Sequence, residues 1–539
     1  MSERKVLCGW PLPRLRGVLS SLAGGVLCLS ATACVPPSRG LPDVYVGLPP
    51  VPAAANQLAS KPRVVPPGPL KLTVRDAELM GLEGNESLSV QRLNPRITKT
   101  GEDIQRAVFD PVLSADVSAS ASRSPAAAGG HTVFHSFAAG LGISKFFPTG
   151  TTVDLNVDTT VSSSTGTQRQ YATGPTLTVT QALLRGIGVN VNLASLRQAE
   201  IDTRSSEYEL RGFAETLLAD IENTYWDYAL AVRQIEIYES SLKLAEQQLS
   251  DTNERIRVGV LAETERAAAE ANVALQQQGL IDARSSLKTT RLALLRLLNP
   301  GGGELWQREV ALLDQPVVQN EDLGSVEQHV AVAMRMRPDL NQARLLIRRD
   351  DLELVKTKNG LLPVMNLFVT MGGTGYARSF GGSVENLDDR NYSASAGLSF
   401  EYALGNRNAR AQHERAQLSR RQAADALRNT VQLAEVDVRS AFIEVNRSIE
   451  QVAATAASRK LQEETYRAET EKYRVGKSTS FLVAQAQRDL LSAQIAEVQA
   501  AVAHIKSLVS LYQLEGSLLE RRGISAPGRN PEPSIVPEN

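Results

Sequence analysis

A short stretch at residues 472–479, KYRVGKST, has residue types that could bind a nucleotide phosphate. In a P-loop of the pattern GxxxxGK[ST], backbone N–H groups surround the phosphates and the lysine contacts them. The first glycine of that pattern would fall five residues before Gly476, at a position that is Glu471 here. The preceding residues also predict a helix, whereas a P-loop follows a strand. The stretch therefore does not predict nucleotide binding, and its glycine needs another explanation.

The histidines and the common hydrolase motifs give no catalytic site either. The five histidines are scattered along the chain, at positions 131, 135, 329, 413 and 504. His131 and His135 fall in a Ser/Gly-rich loop or strand, where residues four apart do not converge as they would on a helix. Neither HExxH nor GxSxG occurs. The sequence thus predicts a protein that is not an enzyme, with no catalytic residue, cofactor site or metal site.

The composition is typical of long helices rather than of a compact enzyme. The 539 residues exceed what one compact core usually holds, so a repetitive unit or several units are expected. Aromatic residues make up only 5%. The 58 Lys and Arg nearly balance the 59 Asp and Glu, and no basic block indicates a nucleic-acid partner.

The N-terminus predicts export. Basic residues precede an apolar run from Gly17 to Cys34, which is typical of a signal peptide over residues 1–33. Cys34 at its end resembles the lipid-attachment cysteine of a bacterial lipoprotein, although Ala31 stands where Leu is usual. The alternative is ordinary cleavage before an incidental cysteine. Cys8 and Cys28 would be removed, so the mature chain could form no internal disulfide.

Two halves of the chain repeat one another. Arg-Val-Gly occurs at 257–259 and again 217 residues later at 474–476, and three further pairs match at the same offset: Gly188 with Gly405, Tyr225 with Phe442, and Ala269 with Ala486. GNESL at 84–88 matches MRPDL at 336–340 at an offset of 252. The first copy therefore carries 35 additional residues, which fall in a Ser/Thr/Gly-rich region at about 110–182.

Both copies contain a seven-residue apolar repeat. Its members in the first copy are Ile221, Tyr228, Ile235, Leu242, Leu249 and Ile256. Its members in the second copy are Val438, Val445 and Val452, with small residues between them at Ala441, Ser448 and Thr455. A strict heptad indicates helices packed side by side with a left-handed supercoil, whereas a globular core helix would show a broader stripe.

Alternating segments predict strands as well as helices. Residues 113–122 and 151–162 in the first copy, and 365–371 and 392–402 in the second, place apolar residues at every second position. Such alternation is typical of membrane barrel strands, although a soluble sandwich strand alternates in the same way. Two strands per copy give four per chain, which cannot close a barrel in lipid. We therefore expect several chains to contribute strands, and three would supply twelve.

Five segments together resemble the outer-membrane efflux (TolC-like) family over about residues 71–519: TLTVTQALLRGIGVNVNLASLRQAEID at 176–202, NTYWDYALA at 223–231, RPDLNQARL at 337–345, LSFEYALGNRNARAQHERAQ at 398–417 and YRVGKSTSFLVAQAQRDLLSAQ at 473–494. The resemblance implies an α+β membrane protein: a homotrimer whose transmembrane β-barrel is continuous with a long, coiled α-helical barrel in the periplasm. It implies the exit duct of a tripartite efflux or secretion system, with a periplasmic adaptor and an inner-membrane transporter as partners. The protein would lie in the outer membrane, in contact with lipid.

The resemblance also gives a role to the repeated Val-Gly turns. It implies that they join long helices at the periplasmic tip and dock the adaptor through Val258, Gly259, Val260, Val475, Gly476 and Lys477. Some members constrict this tip with acidic residues, but the matching positions here are Leu482 and Gln485. Tyr473 matches a tip tyrosine that pairs with an acidic residue, here Glu265, which implies a Tyr473–Glu265 hydrogen bond that closes the gate.

The resulting domain order combines the repeat with the composition. We expect a signal peptide at 1–33, a Pro-rich tether at 34–70, a first repeat at 71–300 with a β-hairpin region at 110–182 and long helices at 186–298, a connector at 301–325, a second repeat at 326–519 with a β-hairpin at 364–403 and long helices at 405–518, and a flexible tail at 520–539. The additional strands of the first copy are expected to extend the extracellular side, with added barrel strands as the alternative. The alternative function is a non-conducting coiled-coil lipoprotein of the cell envelope.

Overall fold

The computed structural model describes residues 68–125, 129–300, 305–318, 323–387, 391–528 and 530–533. The predicted signal peptide, Cys34 and nearly all of the predicted tether lie outside these residues. Within them the chain consists of very long helices, a large antiparallel sheet and a small parallel sheet.

The first repeat runs from β1 to α6. Its elements are β1 (Leu70–Leu72), α1 (Val74–Gly84), α2 (Glu86–Gln91), α3 (Asn94–Arg106), β2 (Val112–Pro125), β3 (His131–Phe147), β4 (Thr151–Ser164), β5 (Gln170–Ala182), α4 (Val189–Asn192), α5 (Ala194–Arg257) and α6 (Thr264–Leu298). A short 3-10 turn at Ala107–Phe109 joins α3 to β2, and another follows at Leu305–Gln307.

The second repeat also places its strands between shorter helices and a pair of long helices, but it has fewer strands. Its elements are β6 (Val310–Leu312), α7 (Val326–Met336), α8 (Pro338–Gly360), β7 (Val364–Gly373), β8 (Gly375–Ala377), α9 (Phe380–Glu385), β9 (Tyr392–Glu401), α10 (Arg407–Arg474), α11 (Ser480–Leu514) and α12 (Leu518–Arg521). With 64 and 68 residues, α5 and α10 are each about 100 Å long. The long helices predicted from the heptads are confirmed.

The main hydrophobic core lies where β1, β6 and the segment around α12 pack against α5. Strands β1 and β6 pair in parallel from Leu70↔Val310 to Leu72↔Leu312. Two buried tyrosines of α5 fasten this small sheet, because Tyr225 donates to the Leu72 carbonyl at 3.1 Å and Tyr228 to the Val310 carbonyl at 2.9 Å. Each hydroxyl thus satisfies a polar group that burial would otherwise leave unpaired.

Further along α5, small residues replace the large ones at the buried seam. Ile221 and Tyr228 are buried as the heptad predicts, whereas Ser241, Ala245 and Thr252 are the buried residues nearer the end of the helix. Small side chains allow neighbouring helices to approach closely. In α10 the predicted Val438, Val445 and Ser448 are all buried.

Six long strands form one antiparallel sheet in the order β2-β3-β4-β5-β7-β9, with the short β8 beside β5. The register of the strands places apolar side chains mainly on one face of the sheet and polar side chains mainly on the other. One face is mainly apolar, with Leu113, Val117, Leu141, Ile143, Leu155, Val157, Leu177, Val179, Val369 and Leu398. The opposite face is mainly polar, with Ser114, Asp116, Ser118, Ser144, Asp154, Asn156, Asp158, Thr176, Thr178, Thr370 and Ser395.

The additional residues of the first repeat therefore lie inside the sheet. Strands β3 and β4 pair with each other and with β2 and β5 on either side. The count of four strands per chain is therefore wrong, because β3 and β4 are added strands of the sheet, as in the alternative to an extension of the extracellular side. The physical reason is that both strands alternate in the same phase as their neighbours, so they fit the same two faces.

Four helices continue the sheet in the same lateral order. Helix α3 packs on α5, α5 on α8, and α8 on α10, while α6 and α11 run beside α5 and α10 as hairpin partners. Helix α3 leads into β2, and β9 leads into α10. Among the described helices, none combines the length and the hydrophobicity that a membrane-spanning helix requires.

The chain after α11 connects the two repeats. Glu515 is buried and contacts His329 of α7 with Oε2 2.6 Å from Nδ1, and Arg211 of α5 donates to the Gly516 carbonyl at 2.9 Å. Arg522 donates to both carboxylate oxygens of Glu222, at 2.8 and 2.7 Å. Further on, the Glu532 backbone N–H donates to Asn341. The described part of 520–533 is therefore packed against the helices, unlike the flexible tail expected from the sequence.

Candidate functional site at the helical tips

Both Val-Gly turns end a long helix with the same hydrogen-bond pattern. At the first turn Gly259 N–H donates to the Ile256 carbonyl at 3.0 Å and Val260 N–H to the Arg255 carbonyl at 2.9 Å. At the second turn Gly476 N–H donates to Tyr473 at 3.1 Å and Lys477 N–H to Lys472 at 2.8 Å. This pair of bonds is the Schellman motif, which satisfies carbonyls that a helix end leaves free.

The glycine is required by backbone conformation rather than by space. Gly259 has φ +78° and Gly476 has φ +76°, in the left-handed region that residues with a Cβ avoid. A Cβ at either position would meet no atom within 4 Å. The glycine of the P-loop-like stretch is thus explained as a helix-ending residue.

The two tips differ in how the following helix begins. Helix α11 starts after Thr479, whose side chain accepts from the Leu482 N–H, and Ser478 donates to Glu469 at 2.9 Å. Helix α6 starts after Glu263 without a side-chain cap. The second tip is therefore held by side-chain hydrogen bonds for which the first tip, with Leu261 and Ala262 at the matching positions, has no side-chain groups.

Two contacts join the tips of one chain. The Arg255 guanidinium lies 4.6 Å from the centre of the Tyr473 ring and donates to the Tyr473 carbonyl at 3.2 Å. Ser480, the first residue of α11, donates from Oγ to Glu265 Oε2. One contact thus fastens the end of α5 to the end of α10, and the other fastens the start of α6 to the start of α11.

The hydrogen bond expected between Tyr473 and Glu265 is not formed. The Tyr473 hydroxyl is buried and has no hydrogen-bond partner among the described residues. Glu265 instead accepts from Ser480, and the Tyr473 ring is held through its face by Arg255. The predicted Tyr473–Glu265 hydrogen bond is therefore wrong. Both side chains lie at the tip, but each contacts a different partner.

The matching gate positions Leu482 and Gln485 are both exposed on the first turns of α11. Gln485 donates to Asp489 at 3.3 Å, and Arg488 donates to Gln485 at 2.9 Å. An exposed carboxylate therefore stands one turn beyond Gln485, at a position that the sequence comparison did not consider.

The sequence analysis also missed Arg255. Its signal was the repeat itself, because Arg255 aligns with Lys472 at the 217-residue offset, and both precede the glycine by four residues. Ser480 carried no such signal, since a serine at a helix start is common as a cap.

A buried polar layer lies on the sheet side of the tips. Asn272 of α6 donates to Gln487 Oε1 of α11 at 2.9 Å, and Gln487 donates onward to the Ser241 carbonyl of α5 at 2.9 Å. All three side chains are buried. A polar residue inside a coiled interface fixes the register of its helices, because any shift leaves its hydrogen bonds unmade.

Comparison with known proteins identifies the family. A family model described as "Outer membrane efflux protein" matches residues 81–300 and 331–517, which make up most of the chain and follow its two repeats. The chain belongs to the outer membrane efflux protein family. Proteins of this family are efflux channels of the cell outer membrane rather than enzymes, so membership gives this chain an efflux role and a place in that membrane.

Solved structures of outer membrane proteins share the fold. The CmeC outer membrane channel of Campylobacter jejuni is 14% identical, with a TM-score of 0.64 over 83% of this chain and 86% of CmeC. The VceC outer membrane protein of Vibrio cholerae is 15% identical, with a TM-score of 0.62 over 82% and 96%. The open state of the Neisseria gonorrhoeae MtrE channel is 19% identical, with a TM-score of 0.60 over 83% and 89%. No curated protein matches the sequence significantly.

Proposed function

We propose that this efflux channel is the trimeric exit duct of a tripartite system, which receives substrate from an inner-membrane transporter and a periplasmic adaptor. The observation that carries the proposal is that the sheet ends on both sides in a long strand, β2 or β9, whose outer edge has no partner strand among the described residues. Every residue of β2 is exposed, and so is nearly every residue of β9. Lipid cannot satisfy the free backbone groups of such edges, so another copy must cover them.

The two edges can pair with each other. Six alternating strands make β2 and β9 antiparallel, so β9 of one copy would run antiparallel to β2 of the next. The two contact surfaces differ, and a head-to-tail contact of this kind can close into a ring. The family resemblance supports three copies.

The helices beside these edges carry matching apolar surface. Ile97 and Ile104 of α3, seven residues apart, are 64% and 65% exposed. On the other flank, Val436 and Ile443 of α10, also seven apart, are 59% and 67% exposed. Large apolar residues repeated at heptad spacing on a surface indicate a helix partner, here the next copy.

The tips are the proposed adaptor-docking surface. Val258, Val260 and Val475 are exposed by 62%, 70% and 64%, beside Phe481 at 57%. Gly259, Gly476 and Lys477 complete this surface. Apolar side chains at a helical tip suit a partner that presents a small helical hairpin of its own.

Because the tips differ, they should bind the adaptor unequally. Exchanging Val260-Leu261-Ala262 with Lys477-Ser478-Thr479 is expected to change adaptor affinity, measured by biolayer interferometry on the purified trimer. An unchanged affinity would contradict docking at these residues. We also propose that Cys34 is acylated, which mass spectrometry of the N-terminal peptide would test.

The trimer is tested by placing charge on the apolar flank. Ile97→Asp with Ile104→Asp should convert the trimer to monomer in native mass measurements and abolish conductance in planar bilayers. Lys99→Asp puts the same carboxylate at an exposed position of the same helix outside that stripe, so it should remain trimeric. A native chain that is monomeric and conducts no ions would favour the coiled-coil structural lipoprotein instead.

A further inference from the structure

The first repeat contributes four long strands to the sheet, and the second repeat contributes two. The β3–β4 hairpin, residues 131–164, accounts for the additional length of the first repeat. We infer that this hairpin is part of the barrel wall, an inference that rests on the proposed trimer. The closed barrel would then have eighteen strands, and its bore would admit solutes too broad for the twelve-stranded barrel that two strands per repeat would give.

The hairpin is bonded into the sheet along its whole length. Strand β3 pairs with β2 from Val112↔Ser144 to Pro125↔His131. Strand β4 pairs with β5 from Thr151↔Gln181 to Ser162↔Gln170. Strands β2 and β5 do not pair with each other, so the hairpin is an integral part of the wall.

The hairpin also carries the two faces that a membrane wall requires. Leu141, Ile143, Leu155 and Val157 are between 44% and 59% exposed, and they continue the apolar face of β2 and β5. A hairpin that projected into water would expose this apolar band to solvent, which is unfavourable, whereas a strand in contact with lipid requires apolar side chains on its outer face.

The width of the helical layer favours six strands. Helices α3, α5, α8 and α10 lie side by side, and at an interaxial spacing of 8–10 Å four helices are about 32–40 Å wide. Strands about 4.8 Å apart and tilted by about 40° each occupy about 6.3 Å of circumference. Six strands are then about 38 Å wide, and four only about 25 Å. The hairpin makes the sheet as wide as the helical layer that continues it.

The same spacing gives the bore. Eighteen strands would close at a diameter of about 36 Å between backbone centres, against about 24 Å for twelve strands. At Gly140, on the polar face of β3, a Cβ would lie 2.5 Å from Asp158 Oδ1 and 2.7 Å from Asp116 Oδ1, so the two carboxylates leave no room for a side chain there. A barrel of this width would leave the helical tunnel, rather than the barrel, as the part that limits the size of the solutes that pass.

The experiment measures the bore from outside the cell. Thr178→Cys on the polar face of β5 is labelled with maleimide-polyethylene glycols of graded size, in the full chain and in a chain that lacks residues 131–164. We expect the full chain to accept polymers about 1.5-fold broader than the shortened chain does. Val179→Cys, on the apolar face, is the control that water-soluble maleimides should not label. Equal size limits in the two chains would overturn the inference.

A second comparison needs only the full chain, in case the shortened chain does not assemble. Asn156→Cys and Val157→Cys are adjacent in β4 on opposite faces. A wall strand predicts labelling of the first and protection of the second by lipid, whereas equal labelling would overturn the inference. If the full chain neither conducts ions nor labels at Thr178→Cys, the proposed channel function fails instead.

Discussion

Among single residues, Arg255 and Tyr473 form the contact that joins the end of α5 to the end of α10. The guanidinium interacts with the ring face and with the backbone carbonyl, so the phenol hydroxyl contributes nothing that the structure uses. A buried hydroxyl without a partner costs free energy in the folded state. The ring, and not the hydroxyl, is therefore the stabilising part of Tyr473.

Tyr473→Phe should consequently leave the closed tip of the channel unchanged. The ring and its contact with Arg255 remain, and an unpaired polar atom is lost, so resting conductance should be unchanged and thermal stability equal or slightly higher. Arg255→Met removes both contacts while keeping a long side chain, and it should raise resting conductance. A Tyr473→Phe channel that opens as Arg255→Met does would show that the hydroxyl has a partner at the tip.

Glu215 is a buried carboxyl group of α5 whose contribution to stability depends on pH. Burial raises its pKa to about 8, although Arg211 nearby lowers it, and Glu520 and Asp339 raise it further. Between about pH 4.5 and 8 the folded chain therefore holds a proton that the unfolded chain releases, so this group's contribution to stability falls as pH rises. Glu215→Gln should flatten the dependence of unfolding free energy on pH in that window by up to about 1.4 kcal/mol per pH unit. Glu209→Gln, on the exposed side of α5, should leave the pH profile as it was.

At the scale of elements, the Schellman turns fix where α5 and α10 stop. Both glycines have open space around them, so replacing either one costs only backbone strain. The element boundaries at the tips were predictable, because Arg-Val-Gly at a fixed offset identifies equivalent turns. The strand pairing of the hairpin was not, because alternation gives the faces of a strand but not its neighbours, which are set by long-range hydrogen bonds.

Gly476→Ala should therefore destabilise the tip by about 1 kcal/mol, with faster hydrogen exchange at the end of α10. Gly476→Asn should cost less, because asparagine tolerates the left-handed conformation at a helix end. Equal exchange in the two variants would indicate that the turn does not depend on this backbone conformation. Gly259→Ala is the matched change at the other tip, and it should have a similar effect.

At the scale of the whole molecule, the polar face of the sheet carries a net negative charge. Asp116, Asp154, Asp158 and Glu401 lie on it, and the six long strands have no Lys or Arg on that face. Lys145 is on the opposite face. The charge of this face was readable from the alternation in the sequence, whereas the packing of residues 520–533 was not. Those residues are mostly polar and contain Pro, and their order depends on contacts with distant helices: ion pairs, hydrogen bonds and the packing of Ile524 and Ala526 on the core.

Three copies would multiply these carboxylates into an acidic lining, so the channel should prefer cations. Asp116→Asn with Asp158→Asn should shift the reversal potential in a KCl gradient toward that of a non-selective pore. Lys145→Gln should leave the reversal potential unchanged, because that side chain lies on the apolar face. A double variant as selective as the native channel would place the filter elsewhere, for example at the tips.

The contacts made after α11 have a consequence for biosynthesis. Glu515, Arg522 and Glu532 are translated and exported after all the strands and long helices, yet they contact α5 of the first repeat and α7 and α8 of the second. The final segment therefore makes its contacts late, after the elements that it joins have been exported. A nonsense mutation or proteolytic cut just before Glu515 would spare every strand and both tips. It would nonetheless remove the contacts by which this segment joins α5 to α7 and α8, and we expect envelope quality control to degrade such a chain before it reaches the outer membrane.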